Sequence, residues 1–179
     1  MALQTLLQAR KKSLHQSWFD ILLGTYPPET VRLLKKETNQ FANPVGHTFF
    51  HALGEILDEF LRENDLEKMS ALLDRIIRIR AVQEFPPSNA LAFVFLLKRI
   101  AREQLATEIG EARVSPAELA DFDERVDGLV LAAMDVYSKC RDTLYEVRIR
   151  EIKDGTQRLL QRAQLIAEIP PSKPEDEKQ

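Results

Sequence analysis

A chain of 179 residues, 44% hydrophobic and 30% charged, can bury one real core but is short for two domains. Its net charge of -3 gives no reason to expect a nucleic-acid or anionic-membrane partner. The single cysteine, Cys140, excludes an internal disulfide and points to a reducing cytoplasm. The longest apolar run, 90–97, is too short for membrane insertion.

Residues 1–4 lack a signal-peptide core. Leu3, Leu6, Leu7, Leu14, Trp18, Ile21 and Leu22 predict a first helix over about 2–23, and Tyr26-Pro27-Pro28 ends it. A short helix with Val31, Leu33 and Leu34 follows and passes into a polar stretch through Gln40. Asn43-Pro44 then starts a helix that runs to about Glu63. Proline pushes its predecessor out of helical conformation, as an N-cap requires, and itself suits the first helical position. Gly46, Phe50, Leu53, Leu57, Phe60 and Leu61 are expected on its buried face.

Asn64, with Glu67 three residues on, predicts the next helix, carrying the stripe Leu66, Met69, Leu73, Ile76 and Ile77. The β-branched run 76–82 reads as its continuation, not a strand, because no turn interrupts the period and no second strand exists. After Phe85-Pro86-Pro87, Ser88 is expected to cap a central helix. Its segment 90–97 is apolar all round, and the helix fades near Gly110. Ser115-Pro116-Ala117-Glu118 is a complete capping-box signature. Beyond it, Leu119, Phe122, Val126, Leu129, Ala133, Val136, Cys140 and Val147 form a heptad seam. No breaker precedes Gly155, and a polar tail ends the chain.

Four blocks carry a family resemblance: Tyr26-Pro27-Pro28-Glu29-Thr30; Phe41-Ala42-Asn43-Pro44-Val45-Gly46-His47; Ile76-Ile77-Arg78-Ile79-Arg80-Ala81-Val82-Gln83; and Phe85-Pro86-Pro87-Ser88 before the apolar run. In this order they resemble the N-terminal sensory domain of the RsbRD group of stressosome co-antagonists. The resemblance covers about residues 1–150. It implies an all-α, globin-like, dimeric bacterial sensor without haem, whose long C-terminal helix leads in the family to a STAS domain. This chain is expected to act without a STAS domain of its own, through a homodimer and a separate signalling or redox-complex protein partner. The expected division is a sensory domain over 1–154 and a helical extension with a polar tail over 155–179.

No nucleophile constellation can be assembled, so no enzyme activity and no cofactor are expected. Asn43, His47, Arg78 and Arg80 belong to the signature blocks and are the candidate ligand-binding residues. Guanidinium forks match carboxylate or phosphate. Against this stands ion pairing of the arginines with Asp74, Glu84 or Glu63, or stems that cover apolar surface, which is the preferred reading for Arg78 and Arg80. His47 and His51, one turn apart, with Asp58 could instead ligate a metal, or one histidine a haem; helix-flank packing is preferred. A ligand-free structural adaptor is the third possibility. The candidate dimer interface is Phe122, Val126, Leu129, Ala133, Val136 and Cys140, with Cys140 a buried structural thiol.

Overall fold

The apolar periodicity of residues 3–23 yields two helices where the sequence predicts one: α1 (Ala2–Ala9) and α2 (Lys11–Leu23). The chain bends at Arg10, whose guanidinium is taken by Glu108 and by the Gln104 carbonyl. These contacts come from a distant part of the chain, so no local signal marks the bend. The computed structural model describes residues 2–36 and 41–162. Eight helices and no strand occur among the described residues, so the fold is an all-α bundle.

The third helix is α3 (Pro28–Lys36), and α4 (Pro44–Arg62) begins as the sequence predicts. Its inward face differs by one position: Phe49 is fully buried, whereas Phe50 is 36% exposed. Phe49 faces Tyr26 with ring centroids 6.2 Å apart, Ile56 and Phe60 are fully buried with it, and Phe50 is left beside Phe19 of α2.

Asp65, not Asn64, caps α5 (Leu66–Val82), accepting from the Glu67 and Lys68 amides at 3.0 and 3.2 Å. Asn64 is committed to the preceding helix. It adopts φ 55° and donates its amide to the Glu59 carbonyl, a left-handed C-terminal stop that asparagine tolerates. Ser88 likewise caps nothing. Pro86, extended at ψ 153°, is the N-cap and Pro87 is the first residue of α6 (Pro87–Gln104). Of the 90–97 run, Ala90, Leu91, Phe93, Val94 and Leu97 are buried, but Phe95 is 51% exposed. The helix is thus central on three sides only.

A single turn, α7 (Ala106–Gly110), leads to α8 (Pro116–Arg162), where the capping box forms as predicted: Ser115 Oγ accepts from the Glu118 amide at 3.2 Å, and Glu118 Oε2 accepts from the Ser115 amide at 3.0 Å. Neither Gly128 nor Gly155 interrupts α8. The expected polar tail lies outside the described residues.

The chain divides into two units, Met1–Arg141 and Asp142–Gln179. The core of the first is drawn from every helix except α7, whose buried residue is Glu108. Trp18 is fully buried on α2, and its indole N–H donates to the Phe93 carbonyl of α6 at 2.7 Å. Arg102 on α6 grips Asp123 of α8 through both carboxylate oxygens, at 2.9 and 2.5 Å, and Lys98 pairs with Asp127 at 2.7 Å. These pairs set α6 and α8 antiparallel.

The expected dimer seam is used inside this unit. Phe122, Val126, Leu129, Ala133 and Cys140 are buried within the single chain, and Val136 is half-buried. Phe122 meets Phe60 edge-to-face at 5.7 Å, and the Cys140 thiol lies 3.5 Å from Asp74 Oδ1. The five buried residues are therefore covered by the chain's own helices. The 3-4 repeat that marks a coiled-coil seam marks equally well a bundle helix's buried stripe. Burial and the Asp74 carboxylate push the Cys140 thiol above its ordinary range, as a structural thiol requires. In the second unit, Tyr145, Ile149, Ile152 and Leu159 are each at least 49% exposed.

Candidate ligand pocket

The sequence start of α4 also builds a site. Asn43 is buried; its Oδ1 accepts from the Gly46 amide and its Nδ2 donates to the Leu34 carbonyl, both at 2.8 Å. One side chain thereby caps α4 and ties it to the end of α3. Asn43 is a positioning residue, and its neighbour His47 is what reaches the pocket that results.

That pocket, of about 540 Å³, lies between α2, α3 and α4. Its apolar walls are Phe19, Leu34 and Phe50. Phe19 and Phe50 pack edge-to-face at 5.2 Å, and the His15 ring lies tilted by 46° against Phe50 at 4.3 Å while its Nε2 donates to the Phe50 carbonyl at 2.7 Å. The polar side is formed by His47 and His51, with ring centroids 4.1 Å apart, by Gln16, and by Lys35 paired with Asp20 at 2.6 Å. Both members of that ion pair are more than 40% exposed, so it contributes little to stability and can rearrange.

The candidate residues thus fall in three places. His47 lines the pocket, with Asn43 behind it. Arg78 is on the surface, held by Asp74 through Nε at 3.1 Å and Nη2 at 2.7 Å, which raises its affinity for its proton further. Arg80 is fully buried elsewhere. Its guanidinium stacks on Phe85 at 4.4 Å and Tyr26 at 5.3 Å, and Nη2 donates to Thr25 Oγ1 and the Asn89 carbonyl at 2.9 and 2.8 Å. Nε and Nη1 are buried without a partner. Burial pushes Arg80 below its usual range and Tyr26 above its own. The ion pair expected of Arg80 does not form among the described residues; aromatic faces replace it.

The metal set does not assemble. Asp58 is taken by Lys11, and among the described residues no three His, Cys, Asp or Glu side chains converge. Two residues of the pocket, Lys35 and Asp20, gave no sequence signal. They come from separate helices, α3 and α2, and meet only in the folded chain. Phe50 was legible as apolar, but its role as a pocket wall was not.

A family model described as the RsbT co-antagonist protein RsbRD N-terminal domain matches residues 12–152. The match includes every residue that lines the pocket and the Arg80 cage. No curated protein and no solved structure matches the chain.

Proposed function

The chain belongs to the RsbRD N-terminal domain family, and from that membership we propose a non-enzymatic, stressosome-type sensing module that works as a homodimer in the bacterial cytoplasm and reports to a separate partner protein. The observation that supports self-association is exposed apolar surface in each unit. In the second unit, Tyr145, Ile149, Ile152 and Leu159 follow 4-3-7 spacing, one stripe of a helix. In the first, Leu131 and Met134 of α8 are 68% and 45% exposed. The antiparallel register set by Arg102–Asp123 and Lys98–Asp127 brings Phe95 to the same level. Exposed apolar side chains grouped in this way mark an interface more often than an accident of the surface.

The dimer is therefore expected on the outer face of α8, away from the buried seam. Sedimentation equilibrium at micromolar concentration tests it. A dimer is expected for the native chain, and a monomer with unchanged helicity for Ile149→Glu combined with Ile152→Glu. A native chain that sediments as a monomer ends the proposal of self-association. For the output arm, affinity capture from the source organism is expected to recover one protein reproducibly; failure to recover any removes that arm.

A further inference from the structure

Nothing in the family assignment says what, if anything, occupies the space between α2, α3 and α4. We propose that this pocket binds a small organic monocarboxylate with an apolar body, its carboxylate toward Lys35 and His47 and its body against Phe19, Leu34 and Phe50. The inference rests on the sensing role only in that it names the chemical class of the signal.

The volume, about 540 Å³, falls within the range of small-molecule sites. One side of the pocket is aromatic and aliphatic, which a purely inorganic anion would leave unused. Among the described residues the other side carries three nitrogen-bearing side chains, Lys35, His47 and His51, against a single carboxylate, Asp20. A carboxylate ligand is thus offered three side chains able to donate to it, whereas a cation is offered a single carboxylate among the described residues. Lys35 has donors to offer a ligand, since an ammonium carries three and its contact with Asp20 is an ion pair at 2.6 Å in which Asp20 Oδ1 has no hydrogen-bond partner. The paired imidazoles present further N–H donors at one end of the apolar wall. Among the described residues no arginine lines the pocket, so they supply no bidentate fork of the kind that favours a phosphate group. A metal would lack a third protein ligand among the described residues.

The position also offers a route for the signal. Lys35 stands at the end of α3, which is fastened to α4 by the Asn43–Leu34 hydrogen bond. A carboxylate held by Lys35 and His47 bridges α3 and α4 directly and competes with Asp20 of α2 for Lys35.

Calorimetry and thermal shift with benzoate and hexanoate, beside benzamide and hexanamide as neutral matches, test the proposal. Both acids are expected to bind and to raise the melting temperature, and the amides to bind at least about tenfold more weakly, the loss of one charge-assisted contact. Lys35→Met and His47→Leu are expected to weaken benzoate by about tenfold each, while Arg78→Ala, on the surface of α5, leaves it unchanged. Circular dichroism melts identify any variant that fails to fold, and the acid-against-amide comparison on the native chain does not depend on them. Equal binding of acid and amide, or no binding of either acid at millimolar concentration, overturns the proposal. So does stoichiometric zinc that is lost in His47→Leu. Sedimentation of the same samples separates the two readings: a dimer that ignores both acids sinks the pocket alone, and a monomer that binds them sinks the dimer alone.

Discussion

Gly46 stands so close to Asn43 that a methyl group at position 46 would lie 2.2 Å from Asn43 Nδ2 and 2.8 Å from the Leu34 carbonyl. Glycine inside a helix ordinarily costs about 1 kcal/mol relative to alanine. Here the sign reverses, because any side chain expels the cap that joins α3 to α4.

Gly46→Ala is therefore expected to destabilise the protein, and Asn43→Ala to cost about 0.5–2 kcal/mol, the usual loss for an N-cap. Because both changes break one arrangement, the double variant should fall well short of the sum. Urea denaturation of the four proteins measures it. A stabilising Gly46→Ala would show that the close approach is not a constraint.

Arg80 supplies the second prediction. It is fully buried between Tyr26 and Phe85, with no carboxylate partner among the described residues. Arg80→Ala leaves a large void and should cost about 2–5 kcal/mol. Arg80→Met fills most of that volume without a charge to desolvate. It should lose much less, or even gain stability, as buried-charge replacements often do. If methionine proves as damaging as alanine, the hydrogen bonds to Thr25 and Asn89 matter more than the packing. Chemical denaturation distinguishes the cases.

Two arginine-paired carboxylates are among the groups that make the fold sensitive to acid. The hydrogen bonds from Arg10 hold Glu108 below its ordinary value of 4.5, and those from Arg102 hold Asp123 below 3.8. A depressed folded-state value means that the unfolded chain takes up protons first, so these pairs stabilise fully only above the ordinary values. Their contribution is lost as pH falls from about 4.5 downward through the lowered values. Melting temperature should be flat near neutrality and fall below that point. Glu108→Gln and Asp123→Asn should lower the neutral melting temperature and flatten the acid limb. An unchanged acid limb in both variants would show that other groups govern it.

Cys140 should resist modification. Burial and its contact with Asp74 push the thiol up, which lowers the thiolate fraction at neutral pH. Alkylation in native buffer is expected to be far slower than in denaturant. Native and denatured rates that agree would mean that the α5–α8 contact opens readily.

Much of this protein was legible in the residues themselves because it is local. Asn43-Pro44 and Ser115-Pro116-Ala117-Glu118 specify helix starts through hydrogen bonds that span three residues, and both caps form. The helical period through 76–82 outweighed the β-branched composition, since one turn of helix is also a local object. The four signature blocks were enough to indicate the family. What the sequence could not decide is which partner each local element meets. Asn64 and Ser88 have capping chemistry, but Asn64 was spent ending α4 and Ser88 was pre-empted by Pro86-Pro87. The heptad pattern of α8 called for a partner face without saying whose, and the chain's own α4 and α5 supply it. Arg80 and the Lys35–Asp20 pair show the same limit. A buried arginine between two rings and an ion pair across two helices exist only once distant segments are brought together, and periodicity within one helix carries no information about that meeting.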